Sequence, residues 1–143
     1  MGAAVARLKR RADFLKVAGA RKKWVAPGLI VQARVRDSGA REGNVEVDPA
    51  LVRVGFTVSR KVGNAVARNR ARRRLRAAAA DVFTRCGFDG HVKKGVDLVV
   101  IGRTDTLTRS FPDLIGDLTL ALERLEVWRS GETGKTTKRI AKT

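Results

Sequence analysis

The chain has 143 residues, the length of one ordinary domain, with 43% hydrophobic residues, enough for a single core. Lysine and arginine number 31 and aspartate and glutamate 14, a net charge of +17 that draws polyanions and repels itself. No apolar run approaches the roughly 18 residues of a membrane-spanning helix, and MGAAVARLKRRADF holds no apolar signal core, so a cytoplasmic location with no membrane and no small-molecule substrate is expected. The lone Cys86 excludes an internal disulfide framework and suits a reducing compartment.

Residues 1–9 read as a flexible basic lead-in, ahead of a domain over 10–128 and a basic, disordered tail over 129–143. A short amphipathic helix is predicted over Arg11–Ala18, carrying Phe14, Leu15 and Val17. Pro27-Gly28 marks a turn. Leu29–Arg36 then alternates as a strand, and the Gly-rich stretch after it is a loop with room for a short strand at Asn44–Val47. Val52–Ser59 gives the clearest strand. Val52, Val54, Phe56 and Val58 share one face, and Arg53, Gly55, Thr57 and Ser59 the other. The first face is core. The second is small and polar at its end, where an extended polymer can lie.

Gly63-Asn64 breaks the strand, with Asn64 as N-cap of a helix over Ala65–Phe83. Ala67, Ala71, Leu75, Ala78 and Val82 form its one narrow apolar stripe, at about 100° per residue. VDLVVIGR, Val96–Arg103, reads as a buried strand. A last helix starts near Ser110, with a Ser110/Asp113 capping box, Pro112 in the first turn and Leu114, Leu118, Leu122 and Leu125 at helical spacing. The order predicts an α+β domain: one central sheet of three or four strands with helices packed on it.

Three catalytic readings fail. GETGKT in the tail lacks the spacing of a phosphate-binding loop, since only two residues separate Gly131 from Gly134 and no helix follows. His91, the only histidine, sits in a Gly- and Lys-rich loop without a nucleophile motif. No acidic residue lies between Ser59 and Ala80, so the carboxylate cluster of a metal nuclease is missing. No catalytic residue and no protein metal ligand is assigned.

From Arg60 to Arg76 there are eight cations and no anion. A solvated helix face normally mixes signs, because i, i+4 ion pairs stabilise and like pairs do not. This one is almost pure arginine, whose planar fork grips phosphate with two hydrogen bonds. Its cations point several ways. At about 100° per residue, Arg72 and Arg76 lie about 40° and about 80° round the helix from Arg68, Arg73 about 140° and Arg70 about 200°. Two RNA surfaces, one on each flank, could reach them all, and the free amides after Gly63-Asn64 add an anion site.

The segment RVGFTVSRKVGNAVARNRARRRLR, Arg53 to Arg76, closely resembles the signature of the bacterial ribonuclease P protein component: a strand ending in V-S-[KR]-K, then G-N-A-V, then R-N-R with basic residues after it. ADFLKV, VDLVVIGR and the final helix fit the family's other elements in order. The resemblance implies an α/β sandwich with a left-handed β-α-β crossover and a protein that assists a catalytic RNA in removing the 5′ leader of precursor tRNA. Mg²⁺ would be held mostly by that RNA. It implies catalytic-RNA contacts at Arg60, Lys61, Asn64, Arg68, Asn69, Arg70 and Arg73, and a leader cleft at Phe14, Gln32, Thr57, Arg72 and Arg76. Phe14 also reads as an ordinary core residue, and Thr57 as an ordinary strand residue. Ala18 and Gln32 stand where many members carry aromatics, and the chain has no tyrosine, so its cleft is expected to lean on phosphate contacts and hydrogen bonds. The rival readings are a ribosomal or other structural RNA-binding protein, and a nuclease acting without RNA.

Overall fold

Alternation along residues 52–58 decides how the layers stack. The computed structural model describes residues 5–37, 39–85 and 94–127, without the side chains of Thr84 and Arg85. In chain order the elements are β1 (Val5–Arg7), α1 (Arg11–Gly19), β2 (Lys22–Val25), β3 (Leu29–Val35), β4 (Arg41–Glu42), β5 (Val45–Glu46), β6 (Val52–Val58), α2 (Ala65–Arg85), β7 (Val96–Gly102) and α3 (Phe111–Arg124). Five strands form one mixed sheet in the order β1-β6-β7-β3-β2, while β4 and β5 make a separate small hairpin. β6 runs parallel to both β1 and β7, and β3 runs antiparallel to β7 and β2. α2 thus links two parallel neighbours, as a β-α-β unit requires.

One face of the sheet carries Val31, Val52, Val54, Leu98 and Val100 into the main core. α2 meets it with Ala71, Leu75 and Ala78, none of them exposed, and α3 with Leu114, Leu118 and Leu122. Alanines along the stripe let α2 lie close to the sheet, and burying Leu75 in full contributes about 1.5–3 kcal/mol. At α3 the Ser110 hydroxyl accepts the Asp113 amide at 3.2 Å, the cap expected from the sequence.

The opposite face carries α1, through a small cluster of Leu8, Val17 and Val99 with Phe14 and Ile101 beside it. A cluster that small is reinforced by charge. Asp97, 1% exposed, accepts two hydrogen bonds from Arg53 at 2.8 and 2.7 Å and a third from Arg36 at 2.7 Å. Arg53 continues to Asp13 on α1 at 3.3 Å and to Glu42 at 3.4 Å. Arg36 also donates to the Asp48 and Leu51 carbonyls at 2.9 and 2.6 Å. The hydrogen bond to Asp97 holds the Arg53 guanidinium above its ordinary pKa, against the opposing effect of burial. The network ties the centre of the sheet to α1, and so sets where α1 stands.

The sheet has two short edge strands beyond the three expected from the sequence, two by alternation and one by its apolar run. Residues 5–9 of the basic lead-in are ordered: Val5–Arg7 pairs with Val52–Val54, and Leu8 is buried with its amide on the Val54 carbonyl at 3.0 Å. Three residues are too few to show a period, and the partner strand lies far along the chain. In β2 the pattern Lys-Lys-Trp-Val hides a strand because its lysines sit at a sheet edge. α2 continues to Arg85, two residues past the predicted end. Cys86, His91 and the tail with GETGKT lie outside the described residues.

Candidate nucleic-acid interface

Between α1 and the sheet opens a cavity of about 420 Å³. Gly55, Val99 and Gln32 form one transverse row beneath it, since Val99 pairs with both of the others. A Cβ on Gly55 would lie 2.5 Å from Phe14 Cζ, so the absence of a side chain there is what seats the Phe14 ring on the sheet. Leu15 and Ala18 complete the α1 wall, Phe56 and Thr57 line the β6 side, and Lys9 and Arg11 bring positive charge. Among the described residues no carboxylate lines the cavity. An aromatic ring, an amide, a hydroxyl and cations are the groups that hold an unstacked base and its phosphate.

After β6 a short 3-10 turn at Arg60–Val62 leads into Gly63. Gly63 has φ +151°, and a Cβ there would meet Ala67 Cβ at 2.9 Å, so glycine alone makes this turn without strain. Asn64 caps α2, its Oδ1 accepting the Ala67 amide at 2.9 Å. The turn is braced by Arg68, which donates to the Gly63 carbonyl at 2.9 Å. Arg72 donates to Asn69 Oδ1 at 2.9 Å. The side chains of Arg60, Lys61, Arg70, Arg73 and Arg76 are exposed and make no hydrogen bond or ion pair among the described residues. Arg76 is held below its ordinary pKa by partial burial, then by the charges of Arg7 and Arg72. Unpaired like charges so close together cost stability unless an anion arrives.

Arg74 is different. Its Nε donates to the Thr106 carbonyl at 2.8 Å and its Nη2 to that of Arg109, pinning α2 to the approach to α3. The helical wheel explains this, since Arg74 lies about 240° round from Arg68 and borders the apolar stripe. Arg74→Ala is expected to lower stability by about 1–3 kcal/mol, leaving two carbonyls unsatisfied. Arg73→Ala, one residue away, should leave it within about 0.5 kcal/mol. Urea unfolding of the two variants checks this, and equal losses would contradict it.

Of the residues expected at the leader cleft, Phe14, Gln32 and Thr57 line one cavity. Arg72 and Arg76 do not. Both project from α2 on the other side of the sheet, and Arg76 walls a second groove there. Arg60, Lys61, Asn64, Arg68, Asn69, Arg70 and Arg73 run along the turn and the first half of α2. Sequence reasoning missed Lys9, Arg11, Leu15, Phe56 and Val99 as lining residues. Leu15 carried a signal, being an apolar side chain off the buried stripe that remains 57% exposed. Among the described residues no cluster of three His, Cys, Asp or Glu could hold a metal, and no helix is long and apolar enough to cross a membrane.

A five-stranded mixed sheet with an arginine helix on one face and a carboxylate-free cleft on the other defines a basic α+β protein suited to polyanions. The chain belongs to the ribonuclease P protein family: the Ribonuclease P family profile matches residues 3–126. It is 52% identical over 125 residues to the ribonuclease P protein component of Paramagnetospirillum magneticum, covering 87% of this chain and 86% of that one. To the component of Ruegeria pomeroyi it is 50% identical over 119 residues, 82% and 84% of the two chains. The solved ribonuclease P protein of Thermotoga maritima superposes with a TM-score of 0.58 at 29% identity, over 82% of this chain and 96% of that one.

Proposed function

We propose that this chain acts in the cytoplasm as the protein subunit of a ribonucleoprotein that removes the 5′ leader of precursor tRNA, with the cutting groups in the catalytic RNA. The turn and first half of α2 bind that RNA through Arg60, Lys61, Asn64, Arg68, Asn69, Arg70 and Arg73. The cleft at Phe14, Gln32 and Thr57 takes the single-stranded leader, and Arg72 and Arg76, on the other face of the sheet, meet leader that runs beyond the cleft. Mg²⁺ is held mainly by RNA phosphates, and the protein's cations lower the repulsion between the two RNAs so that less Mg²⁺ is needed. The observation that carries this reading is the Phe14 ring seated over Gly55 in a cleft without carboxylates. An open aromatic floored by a strand suits a flexible single strand better than a duplex.

Cleavage of a precursor tRNA at low Mg²⁺ tests it, using the catalytic RNA alone, the protein alone, and both. Efficient cutting only by the combination is expected. A protein without effect would favour a structural RNA-binding role, and cutting by the protein alone would return the chemistry to this chain. Phe14→Ala should weaken holoenzyme binding of leader-bearing precursor by about fivefold or more, the low end for removing one stacked base–ring pair. Mature tRNA should bind as before. Equal losses on both would leave Phe14 as a core residue only.

A further inference from the structure

A second groove, of about 460 Å³, lies on the opposite side of the sheet between β1 and α2. Phe56 and Phe83 stand in its walls, and Ala79 and Ala80 keep the space between them open. Arg7 and Arg76 also line it. Arg72 stands close enough to Arg76 for their charges to oppose each other. Among the described residues no aspartate or glutamate is in the lining. Asp81, the nearest acidic residue along α2, lies about 220° round the helix from Arg68, whereas Arg76, Ala79, Ala80 and Phe83 span about 20° to about 120°.

The groove and the cleft under α1 meet at one strand residue. Phe56 lines both. β1 pairs with β6 only from Val52 to Val54, and the chain leaves after the Leu8 amide bonds the Val54 carbonyl. Among the described residues no strand pairs with that edge of β6 from Phe56 onward, which leaves a route round it for a polymer in the cleft. Phe83 is itself nearly buried, so Phe56 and the alanines offer the apolar surface for a base, and the arginines hold its phosphate.

We propose that this groove is a second nucleotide subsite, which takes leader nucleotides farther from the cleavage point after the strand has passed Phe56 at the edge of β6. The proposal rests on the assignment of the α1 cleft to the leader. Specificity at this subsite is for an unpaired nucleotide of any sequence, because stacking and phosphate contacts do not read base edges.

The test uses the reconstituted holoenzyme and precursor tRNAs whose leaders lengthen one nucleotide at a time. Ala80→Glu places an anion in the groove at an exposed helix position, and Ala80→Lys adds similar bulk with the opposite charge. Wild-type affinity should rise in two stages as the leader lengthens, the second worth about fivefold or more, as for one stacked base. Ala80→Glu should abolish the second stage and keep the first, and Ala80→Lys should retain both. Phe14→Ala should lower the first stage, so a failure of the cleft assignment shows separately as a first stage indifferent to Phe14. An Ala80→Glu holoenzyme that responds to leader length as wild type does would overturn the subsite. So would an equal loss for all leaders, or a loss in affinity for the catalytic RNA alone, which would assign the groove to that RNA.

Discussion

Asp97→Ala is expected to destabilise the protein by about 3–5 kcal/mol, the cost of removing one partner from a buried ion pair. That is a large share of the roughly 5–15 kcal/mol that holds a typical domain together. Asp97 sits mid-sheet at 1% exposure and is the common acceptor for Arg53 and Arg36, both buried. Without it, two guanidinium groups remain among apolar strands. Arg36 keeps its two carbonyl acceptors and Arg53 keeps Asp13 and the half-buried Glu42, so the loss is severe without amounting to two stranded charges. Arg53 would then pull on Asp13, and α1 would lose its fixed stance over Gly55. Asp37→Ala is the control. Asp37 is 92% exposed and meets Arg34 at 3.7 Å, a surface pair worth about 0–1 kcal/mol. Urea denaturation of both variants decides the matter: if Asp97→Ala costs no more than Asp37→Ala, the network does not anchor the sheet.

That network shows where sequence reasoning stops. Arg53 was legible as lying on the face opposite Val52 and Val54, and it does. Nothing in the local sequence said that this face is covered at its start by α1 and open only farther along. Asp97 falls in an apolar run, where one carboxylate carries no period. Its meaning comes from the register that sets it beside Arg53, 44 residues away. Elements with long periods were readable: β6 by alternation, α2 by its alanine and leucine stripe, α3 by its Ser110 cap. The edge strands β1 and β2 were not, because each is set by its partner and not by its own pattern. The site divides in the same way. Strand alternation put Thr57 on the small polar face and capping chemistry put Asn64 at the helix start, while their RNA roles came with the resemblance. Phe14 and Gln32 required the resemblance, and the cavity that joins them depends on the missing side chain of Gly55. Separation of Arg72 and Arg76 from that cavity follows from α2 lying on the other face, a matter of layer order that no helical wheel contains.

Arg70→Ala with Arg73→Ala should weaken binding to the catalytic RNA by about a hundredfold or more, taking about 1.5–3 kcal/mol for each charged hydrogen bond removed. Arg68 is a less clean target, because its guanidinium also braces the Gly63 carbonyl and its loss would mix turn stability with RNA binding. Arg70 and Arg73 are exposed and make no side-chain hydrogen bond or ion pair among the described residues. Removing them should therefore leave stability unchanged or slightly raised, since two like charges leave a crowded helix. The salt dependence separates phosphate binding from any other cause. The slope of log K against log[salt] should fall in magnitude by about 0.9 for each duplex phosphate no longer neutralised, or about 0.7 for single strands, hence by about 1.4–1.8 for the pair. Arg70→Lys with Arg73→Lys keeps both charges and should keep most of the slope while losing part of the affinity, because ammonium cannot form the paired bonds of a guanidinium fork. Unchanged affinity and slope in the alanine variant would move the RNA off this flank of α2. An affinity loss with an unchanged slope would mean that the two arginines act on the protein's own conformation and not on phosphate.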